Sequence, residues 1–492
     1  MSFGELGIVA LGVYVVAVVI VAEFARRARK DRTPADHFLA GRGLGVFVLF
    51  LTLYATAYSG NSLLGYPGEA YRRGFSWIMS VGFMMSIIVV FHALVPKLRP
   101  IAVQRRFLTP GDWLRHRFGG ERYGGGVLFA CAALMTLALA NFLLAQLTAM
   151  GHVTQHVTAG AVPFWAGVIG LAGLILIYET LGGMRAVAWT DAAQGILMFV
   201  GLGALLHWVL GDSGGLAATT RAVAALRPEA VAVPGLREQA NWASTIVLLG
   251  LASVIYPQAI QRVYAARSGP VLARSMALMT FMPLVTTSVV FLIGIAAIPR
   301  LAELGGVEAD TVMPRLLEQW AAVGPAQAIL AILVFVGALA AIMSTADSVL
   351  LSLSSIVAID LLDRSPHDEQ TTRLGKGIAA AIMGVAVIVA LSPRVTLWRL
   401  IELKMELLIQ CVPAFLVALH WSRLRAGPTL AGIAVGTLLA GGAALAGSKR
   451  IEGVHVGVIG LIANTAVAVI GSWLQARRSG AAGTGTPSAS AR

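Results

Sequence analysis

Hydroxyl and carboxyl side chains that could bind a cation stand together in one otherwise apolar stretch, Ser344-Thr345-Ala346-Asp347-Ser348. Ser344 and Ser348 are four residues apart and therefore share one face of a helix, and Asp347 follows Ser344 by three residues. A buried carboxylate in an apolar segment is costly, and by default it marks a path for an ion or a proton. The hydroxyls can instead bond to carbonyls of the preceding turn, an alternative that is weaker for a cluster than for a lone serine.

A second group of small and polar residues lies in the apolar stretch from Leu53 to Gly68, where Tyr58-Ser59-Gly60-Asn61-Ser62 stand together. Glycine disfavours a regular helix, and an interrupted turn exposes backbone carbonyls. Such carbonyls are hard oxygen ligands for a small cation, and in transporters an interrupted helix indicates a binding site. A face of small residues for close helix packing explains the pattern equally well. The stretch therefore predicts either a broken helix with a cation site or a packing face.

Two further apolar segments contain charged residues. Asp191 lies near the expected inner end of its segment, where it either joins an ion site or is solvated at the mouth. In the segment Leu400 to Cys411, Glu402 and Glu406 share one helix face at a spacing of four residues, whereas Lys404 points elsewhere. These three charges either lie in the outer head-group layer or form a gate or pocket. In the second case, Lys404 is suited to meet an anionic solute.

The elements that must position these residues are membrane-spanning helices. Of the 492 residues, 57% are hydrophobic and 12% are charged, whereas a soluble domain has about 25% charged residues. A run of about 18 or more apolar residues is long enough to span a membrane. Such runs predict about thirteen spanning helices, which lie near 5–24, 45–65, 76–96, 125–150, 163–180, 187–210, 243–263, 274–298, 326–358, 375–392, 397–420, 429–446 and 456–474.

The lysines and arginines indicate how the chain is oriented. With the N-terminus outside, roughly two thirds of the 37 Lys and Arg side chains fall on the inside. The expected topology is therefore N-terminus outside and C-terminus inside in a plasma membrane, or bacterial inner membrane, crossed many times. The formal charge of +13 then reflects contact with membrane lipids, whose head groups are anionic, and no nucleic acid or obligatory protein partner is expected. The composition of residues 475–492 predicts a disordered cytoplasmic tail.

Several classes of function are disfavoured by what the sequence lacks. Cys131 and Cys411 both lie in apolar segments and give neither a disulfide framework nor metal-ligand spacing. The sequence has no G-x-x-x-x-G-K-[ST] motif, so it contains no visible ATP-driven motor. The acids lie on different segments without a nucleophile and base beside them, so we do not expect an enzyme.

Four motifs occur in a fixed order along the chain: Phe38-Leu39-Ala40-Gly41-Arg42 with Gly65-Tyr66-Pro67-Gly68, Gly182-Gly183-Met184-Arg185 with Thr190-Asp191, Pro257-Gln258 with Gln261-Arg262, and Ser344-Thr345-Ala346-Asp347-Ser348. Together they resemble the sodium:solute symporter family, the solute carrier 5-like transporters. The resemblance implies an all-α polytopic membrane protein with a LeuT-like inverted repeat of five plus five core helices. It implies one transmembrane transporter domain over residues 1–474, with core repeats near 45–210 and 243–420 and peripheral helices near 5–24, 429–446 and 456–474.

The resemblance also implies ligand positions. The main sodium site would be formed by backbone carbonyls of Ala55, Tyr58 and Ala341 and by the hydroxyls of Ser344 and Thr345. Five oxygens without a carboxylate suit Na+, the expected coupling ion and sole cofactor, better than Ca²⁺ or Mg²⁺. Some members of the family hold a second sodium ion, and its candidate residues here are Asp191, Asp347 and Ser348, together with Ser344. The acid pair is open to three interpretations: a site for a second sodium ion, a site for a proton, or neither. The candidates for solute binding are Asn61, Ser62, Tyr256, Gln258, Lys404 and Gln410.

The implied function is sodium-coupled secondary active symport, in which a small organic solute is imported by alternating access. We favour a small organic acid, such as a monocarboxylate or a pantothenate-like compound. Short side chains at Asn61-Ser62 disfavour sugars, and Ala57 disfavours proline, because proline-transporting members tend to have an acid there. An amino acid or another zwitterion is the alternative solute. A solute sensor that does not transport is the alternative of a different class.

Overall fold

The computed structural model describes residues 2–27, 33–59, 61–301, 304–365, 368–392 and 396–482, most of which are helical. In chain order the α-helices are α1 (Phe3–Arg27), α2 (Pro34–Leu39), α3 (Val46–Ala57), α4 (Tyr66–Arg73), α5 (Met79–Gln104), α6 (Pro110–Phe118), α7 (Gly124–Val157), α8 (Phe164–Asp212), α9 (Leu216–Leu226), α10 (Leu236–Ser253), α11 (Pro257–Ala265), α12 (Gly269–Met279), α13 (Ser288–Ala297), α14 (Val312–Ala321), α15 (Pro325–Ser355), α16 (Glu369–Ala390), α17 (Leu397–Leu408), α18 (Ala418–His420), α19 (Ala426–Leu445) and α20 (Val456–Ala482). Between α19 and α20, β1 (Arg450–Ile451) pairs antiparallel with β2 (Val454–His455).

Short segments of tighter or wider helix join several of these elements. The 3-10 segments are Ala40–Arg42, Gly74–Ile78, Pro228–Val231, Gly306–Thr311 and Ile409–Cys411, and the π segments are Asn61–Gly65, Pro283–Thr287, Ile356–Leu361 and Pro413–Val417. Two of the π segments begin at a proline. Proline lacks the backbone N–H that a regular helix requires, so the helix widens locally there instead of ending.

Two spans are broken in the middle. Helix α3 ends at Ala57, and Tyr58 follows with φ −107° and ψ 77°, outside the helical range. Helices α10 and α11 meet at an angle of 48°, and Pro257 begins the second of them. The interruption predicted in this stretch is therefore present at Tyr58 and Ser59. The alternative of one continuous helix with a packing face is wrong.

The predicted windows all fall on helices, but their number is not confirmed. The described residues contain 8 helices that are long and apolar enough to cross a membrane, or up to 10 if each of two bent pairs counts as one span. The break shortens α3 to twelve residues, and α17 is likewise only twelve residues long, so neither reaches the length of a spanning helix. The orientation of the termini stays a prediction.

Two helices extend beyond the limits that the sequence indicated. The windows 163–180 and 187–210 fall within one helical segment, α8, because the connection between them contains no proline. Helix α20 continues to Ala482, so residues 475–482 are helical and the prediction of disorder is wrong for them. This stretch includes alanine, glutamine and arginine, which favour helix after the apolar part has ended. The rest of the predicted tail, 483–492, lies outside the described residues.

Apolar side chains form a continuous buried core and also cover the outside of the helix bundle. Val13 on α1 is 64% exposed, and Ile388 on α16 is 72% exposed. Leu438 on α19 is similarly open. Broad exposure of large apolar residues on several helices is suited to contact with lipid.

Candidate ion and solute sites

A fully buried guanidinium lies at the centre of the bundle. Arg262 is on α11, which turns into the interior after the break at Val254 to Tyr256. Its Nη2 atom lies 3.2 Å from Asp191 Oδ2 on α8 and donates to Ser348 Oγ on α15 at 2.8 Å. Its Nε atom donates to Thr52 Oγ1 on α3 at 2.9 Å. One arginine therefore ties the first broken span to two continuous helices, a geometry that the five N–H groups of a guanidinium permit.

Asp191 is enclosed by hydrogen-bond donors. It is 0% exposed, and besides Arg262 it accepts hydrogen bonds from the hydroxyls of Thr52 and Ser344. The interpretation of Asp191 as a solvated residue at the mouth is therefore wrong. The reason is that this part of α8 packs against both α3 and α15, which cover the carboxylate on two sides.

The residues of the predicted main sodium site lie on α3 and α15. Ala55 is in the last turn of α3 and Tyr58 is just beyond it, where helix carbonyls lose their intrahelical partners. On α15, Thr345 Oγ1 donates to the carbonyl of Ala341 at 3.0 Å, and Ser344 donates to Asp191. The two hydroxyl oxygens keep lone pairs when they donate, so they remain competent to bind a cation.

The predicted second ion site is next to the first. Ser348 Oγ donates to the carbonyl of Ser344 at 2.7 Å and accepts from Arg262. Asp347 is fully buried, and its Oδ1 atom lies 3.3 Å from Ser348 Oγ. In the part of the chain that the structure describes, no group of three or more His, Cys, Asp or Glu residues could hold a metal ion. Hydroxyls and carbonyls with single carboxylates suit a monovalent cation.

A cavity lies beside these residues. It is lined mainly by apolar side chains of α3, α5, α10, α12 and α17, with hydroxyls from Thr56, Ser59, Ser62, Ser253 and Tyr256. Several of these hydroxyls already have acceptors, such as the Thr52 carbonyl for Thr56 and Met405 Sδ for Tyr256. The walls therefore suit a compact solute with an apolar body.

Lys404 is the charged residue of this cavity lining. Its side chain is 2% exposed, and Nζ lies 3.2 Å from the ring centre of Phe142 and 4.5 Å from that of Tyr256. Among the described residues, none offers a carboxylate within ion-pair distance of Nζ. Glu402, Lys404 and Glu406 are all buried inside the protein, because α17 begins at Leu397 and packs among other helices. Their position relative to the head-group layer stays a prediction.

Glu402 and Glu406 face away from the cavity, as their spacing indicated. Glu402 contacts Arg450 of β1 and lies 3.1 Å from Arg399 Nη1. Glu406 lies 3.5 Å from His455 Nδ1 on β2 and 3.7 Å from Arg399. The β1–β2 hairpin thus supplies an arginine and a histidine that contact the acids of α17. Nothing in the sequence linked the hairpin to these acids.

The other solute candidates separate into groups. Ser62 and Tyr256 line the cavity. Gln258, two residues after Tyr256, is fully buried and is not part of the cavity lining, and both polar atoms of its amide lack a hydrogen-bond partner among the described residues. Gln410 does not line the cavity, because its Nε2 atom donates to the Gly457 carbonyl at 2.9 Å and holds α20. The side chain of Asn61 lies outside the described residues.

A cluster of aromatic rings packs behind Tyr66, which is part of the cavity wall. Tyr66 of the cavity wall packs edge-on against Trp77, and Trp77 packs against Trp398 at 4.6 Å between ring centres. Leu397 precedes Trp398 in the chain, and its N–H donates a hydrogen bond to Asp310 Oδ2 at 2.9 Å, which caps α17. A Cβ on Gly68 would lie 2.4 Å from the Ala309 carbonyl, so α4 and this connection are in close backbone contact.

Broken spans beside a buried polar centre and an apolar cavity define a membrane transporter of the broken-helix type. The model of the sodium:solute symporter family matches residues 37–436, and the chain belongs to this family. It is a family of transporters, in agreement with the prediction that the chain is not an enzyme.

Curated relatives and solved structures agree with this assignment. The chain is 25% identical over 447 residues to a sodium/pantothenate symporter of Escherichia coli, a match that covers 88% of this chain and 89% of that protein. It is 25% identical over 479 residues to an osmoregulated proline transporter of Bacillus subtilis, covering 96% and 95%. A Na+-coupled sialic acid symporter in a substrate-bound outward-open state has the same fold, with a TM-score of 0.78 at 19% identity and coverage of 96% and 98%.

Proposed function

We propose that this chain is a sodium-coupled symporter that imports a small organic acid. The observation that carries the choice of an acid is Lys404, a buried lysine side chain in the cavity lining. A buried charge is stable only when it is paired or well solvated. The rings of Phe142 and Tyr256 stabilise the charged form of Lys404 by about 2 kcal/mol or more, which is less than the cost of burying an unpaired charge. A solute carboxylate would supply the missing partner.

The rest of the cavity supports a compact and mostly apolar acid. Its walls include Met84, Ile88, Phe91 and Met276, and none of the described residues that line it has a carboxylate that would attract an ammonium group. An amino acid would bring its ammonium group into these surroundings without an acidic partner. The lining therefore favours a monocarboxylate or a pantothenate-like acid over a zwitterion or a sugar. Ser62, Tyr256 and Gln258 are the proposed polar contacts.

Sodium would bind to Ala55, Tyr58, Ala341, Ser344 and Thr345. These residues belong to one broken and one continuous helix, so a cation held by both would fix their separation and favour one state of the carrier. Release of the ion would remove that constraint and permit the opposite state. Sodium coupling is supported by membership of the family and by the name of the pantothenate relative.

A thermal-shift series on the purified protein tests the proposal. Propionate, pyruvate, lactate, pantothenate, proline and glucose are each added in sodium chloride and in choline chloride. We expect one of the acids to raise the melting temperature, and to do so more strongly with sodium. A shift with proline or glucose but with none of the acids would contradict the acid assignment, and the absence of any sodium effect would contradict sodium coupling.

The role of Lys404 is tested by Lys404→Met, with Lys376→Met as the matched control. Lys376 donates to the Thr180 carbonyl and does not line the cavity. We expect Lys404→Met to weaken binding of the acid at least tenfold, since removing one partner of a buried charge pair costs about 2–5 kcal/mol. The shift caused by sodium alone should remain in both variants. Unchanged affinity for the acid in Lys404→Met would exclude Lys404 as its partner.

A further inference from the structure

We propose that Met405 is a placeholder in the solute cavity, whose sulfur holds the hydroxyls of Tyr256 and Ser253 until the carboxylate of the solute replaces it. The inference rests on the proposed function and extends it. It assigns hydroxyl donors to the carboxylate beside Lys404, and it names a residue that sets the affinity for the acid. All four side chains line the cavity.

The sulfur of Met405 accepts hydrogen bonds from both sides of the break in the α10–α11 span. Tyr256, which immediately precedes α11, donates to Met405 Sδ at 3.2 Å, and Ser253, the last residue of α10, donates to it at 3.8 Å. The two hydroxyls also interact with each other. Ser253 and Met405 are buried, so the cavity is the side from which a stronger acceptor can reach these hydroxyls.

A thioether sulfur is a poor competitor for a hydroxyl hydrogen, because it is a weak acceptor. A hydrogen bond to an ionised carboxylate is roughly twice as strong as one between neutral groups. A carboxylate in the cavity would therefore take over the hydroxyl hydrogens from Met405. The sulfur loses little in this exchange, since methionine also packs as an adaptable apolar side chain.

Lys404 lies at the same end of the cavity. It precedes Met405 on α17, and its Nζ atom is 4.5 Å from the centre of the Tyr256 ring. Tyr256 therefore contacts two consecutive residues of α17. An ionised carboxylate has two oxygens that accept about four hydrogen bonds and donate none, so it is matched to a subsite whose donors are Lys404, Tyr256 and Ser253. An ammonium group is not, because it brings only donors.

The acceptor strength of residue 405 should then set the affinity for the acid. An apolar residue leaves the hydroxyls of the empty cavity without this acceptor, which destabilises the solute-free state and tightens binding. A strong acceptor holds the hydroxyls more firmly and weakens binding. Leucine conserves the volume of methionine, and glutamine has an unbranched chain of the same length. Opposite effects of these two replacements therefore follow from acceptor strength and not from size.

Titration calorimetry on the purified full-length protein in lipid nanodiscs and sodium chloride compares the wild type with Met405→Leu and Met405→Gln. The titrant is whichever of propionate, pyruvate, lactate and pantothenate gives the largest thermal shift with the wild-type protein. We expect Met405→Leu to bind this acid about two- to tenfold more tightly, the equivalent of one neutral hydrogen bond, and Met405→Gln to bind it more weakly by a similar factor. Met383→Leu on α16 is the matched control, because Met383 is buried away from the cavity and its replacement should leave the affinity unchanged.

Both effects should largely disappear when Tyr256→Phe is added, which removes the nearer donor to the sulfur. Weaker or unchanged binding in Met405→Leu, or opposite effects that persist with Tyr256→Phe, would overturn the placeholder role and leave the acid assignment intact. If Met405→Gln or Tyr256→Phe misfolds or binds no acid, the direction of the change in Met405→Leu decides. If none of the four acids binds to the wild-type protein, the proposed function fails, and this inference with it.

Discussion

The hydroxyl of Ser344 donates its hydrogen to Oδ1 of Asp191, a residue 153 positions earlier in the chain. The same hydroxyl oxygen is a proposed ligand of the coupling ion. Because the hydrogen points to the carboxylate, the lone pairs of Ser344 are directed away from it and are free to bind a cation. Asp191 can therefore orient a sodium ligand without contacting the ion.

The first prediction concerns that ligand pair. Replacing both Ser344 and Thr345 by alanine should abolish sodium-dependent uptake, because it removes two of the five proposed oxygens. The measurement is accumulation, in proteoliposomes with an inward sodium gradient, of the acid that the thermal-shift series selects. Thr437→Ala on α19 is the matched control, since its hydroxyl has no partner among the described residues. Sodium-driven accumulation that persists in the double variant would exclude the site.

The second prediction concerns the stability of the central ion pair. Arg262→Met should lower the stability of the fold by about 3–5 kcal/mol, because it leaves the carboxylate of Asp191 buried without its cation. The double variant Arg262→Met/Asp191→Asn should recover part of this loss, since residue 191 then no longer carries a buried charge without its cation. Melting temperatures of the three proteins in the same nanodiscs provide the measurement.

Arg27→Met is the control for the second prediction. Arg27 pairs with Glu23 at 2.8 Å on an exposed surface, and such pairs contribute about 0–1 kcal/mol. A loss in Arg262→Met no larger than that in Arg27→Met would show that the central pair is not needed for stability. A double variant less stable than Arg262→Met alone would contradict the explanation by unpaired charge.

The sequence was sufficient to predict those parts of the site that are formed by residues close together in the chain. The hydroxyl and carboxyl cluster at 344–348 and the glycine-containing break after Ala57 are both visible within a few residues. Arg262 was part of a recognised motif, but no role could be assigned to it. Its partners Thr52, Asp191 and Ser348 are 71 or more positions away, and only the tertiary fold brings them together.

The charges of α17 show the opposite case. Their alternation was read correctly, with Lys404 on one side and Glu402 and Glu406 on the other. Their burial inside the protein was not predicted, because charged residues at the end of a helix in a membrane protein are normally solvated. Their partners Arg450 and His455 lie on a hairpin of four paired residues, which is too short to give a periodic signal.

The third prediction tests that hairpin as a support for α17. Arg450→Met should destabilise the protein by about 1–3 kcal/mol, because Glu402 loses a charged hydrogen-bond partner and keeps Arg399 and Trp398. Combined with Glu402→Gln, the loss should be smaller than the sum of the two single losses. A double-mutant cycle on melting temperatures measures the coupling. Strictly additive losses would mean that the two side chains do not depend on each other.

The fourth prediction concerns the pH dependence of the cap on α17. Burial raises the pKa of Asp310 from 3.8 to about 6, and the Leu397 N–H and Arg72 oppose this rise. The folded protein therefore binds this proton more tightly than the unfolded chain does. Between about pH 4 and pH 6 the folded state holds more protons, so its stability falls as the pH rises through this window, by up to about 3 kcal/mol in total.

Asp310→Asn removes the titration and keeps a carbonyl oxygen for the Leu397 N–H. The melting temperature of the variant should be close to that of the wild-type protein at pH 4.5 and above it at pH 7.5, because only the wild-type carboxylate then has to ionise while buried. Glu308→Gln, an exposed change in the same connection, is the control and should show no such divergence. A wild-type protein that gains stability relative to Asp310→Asn as the pH rises would reverse the sign, and would mean that the ionised carboxylate caps α17 more strongly than its burial opposes it.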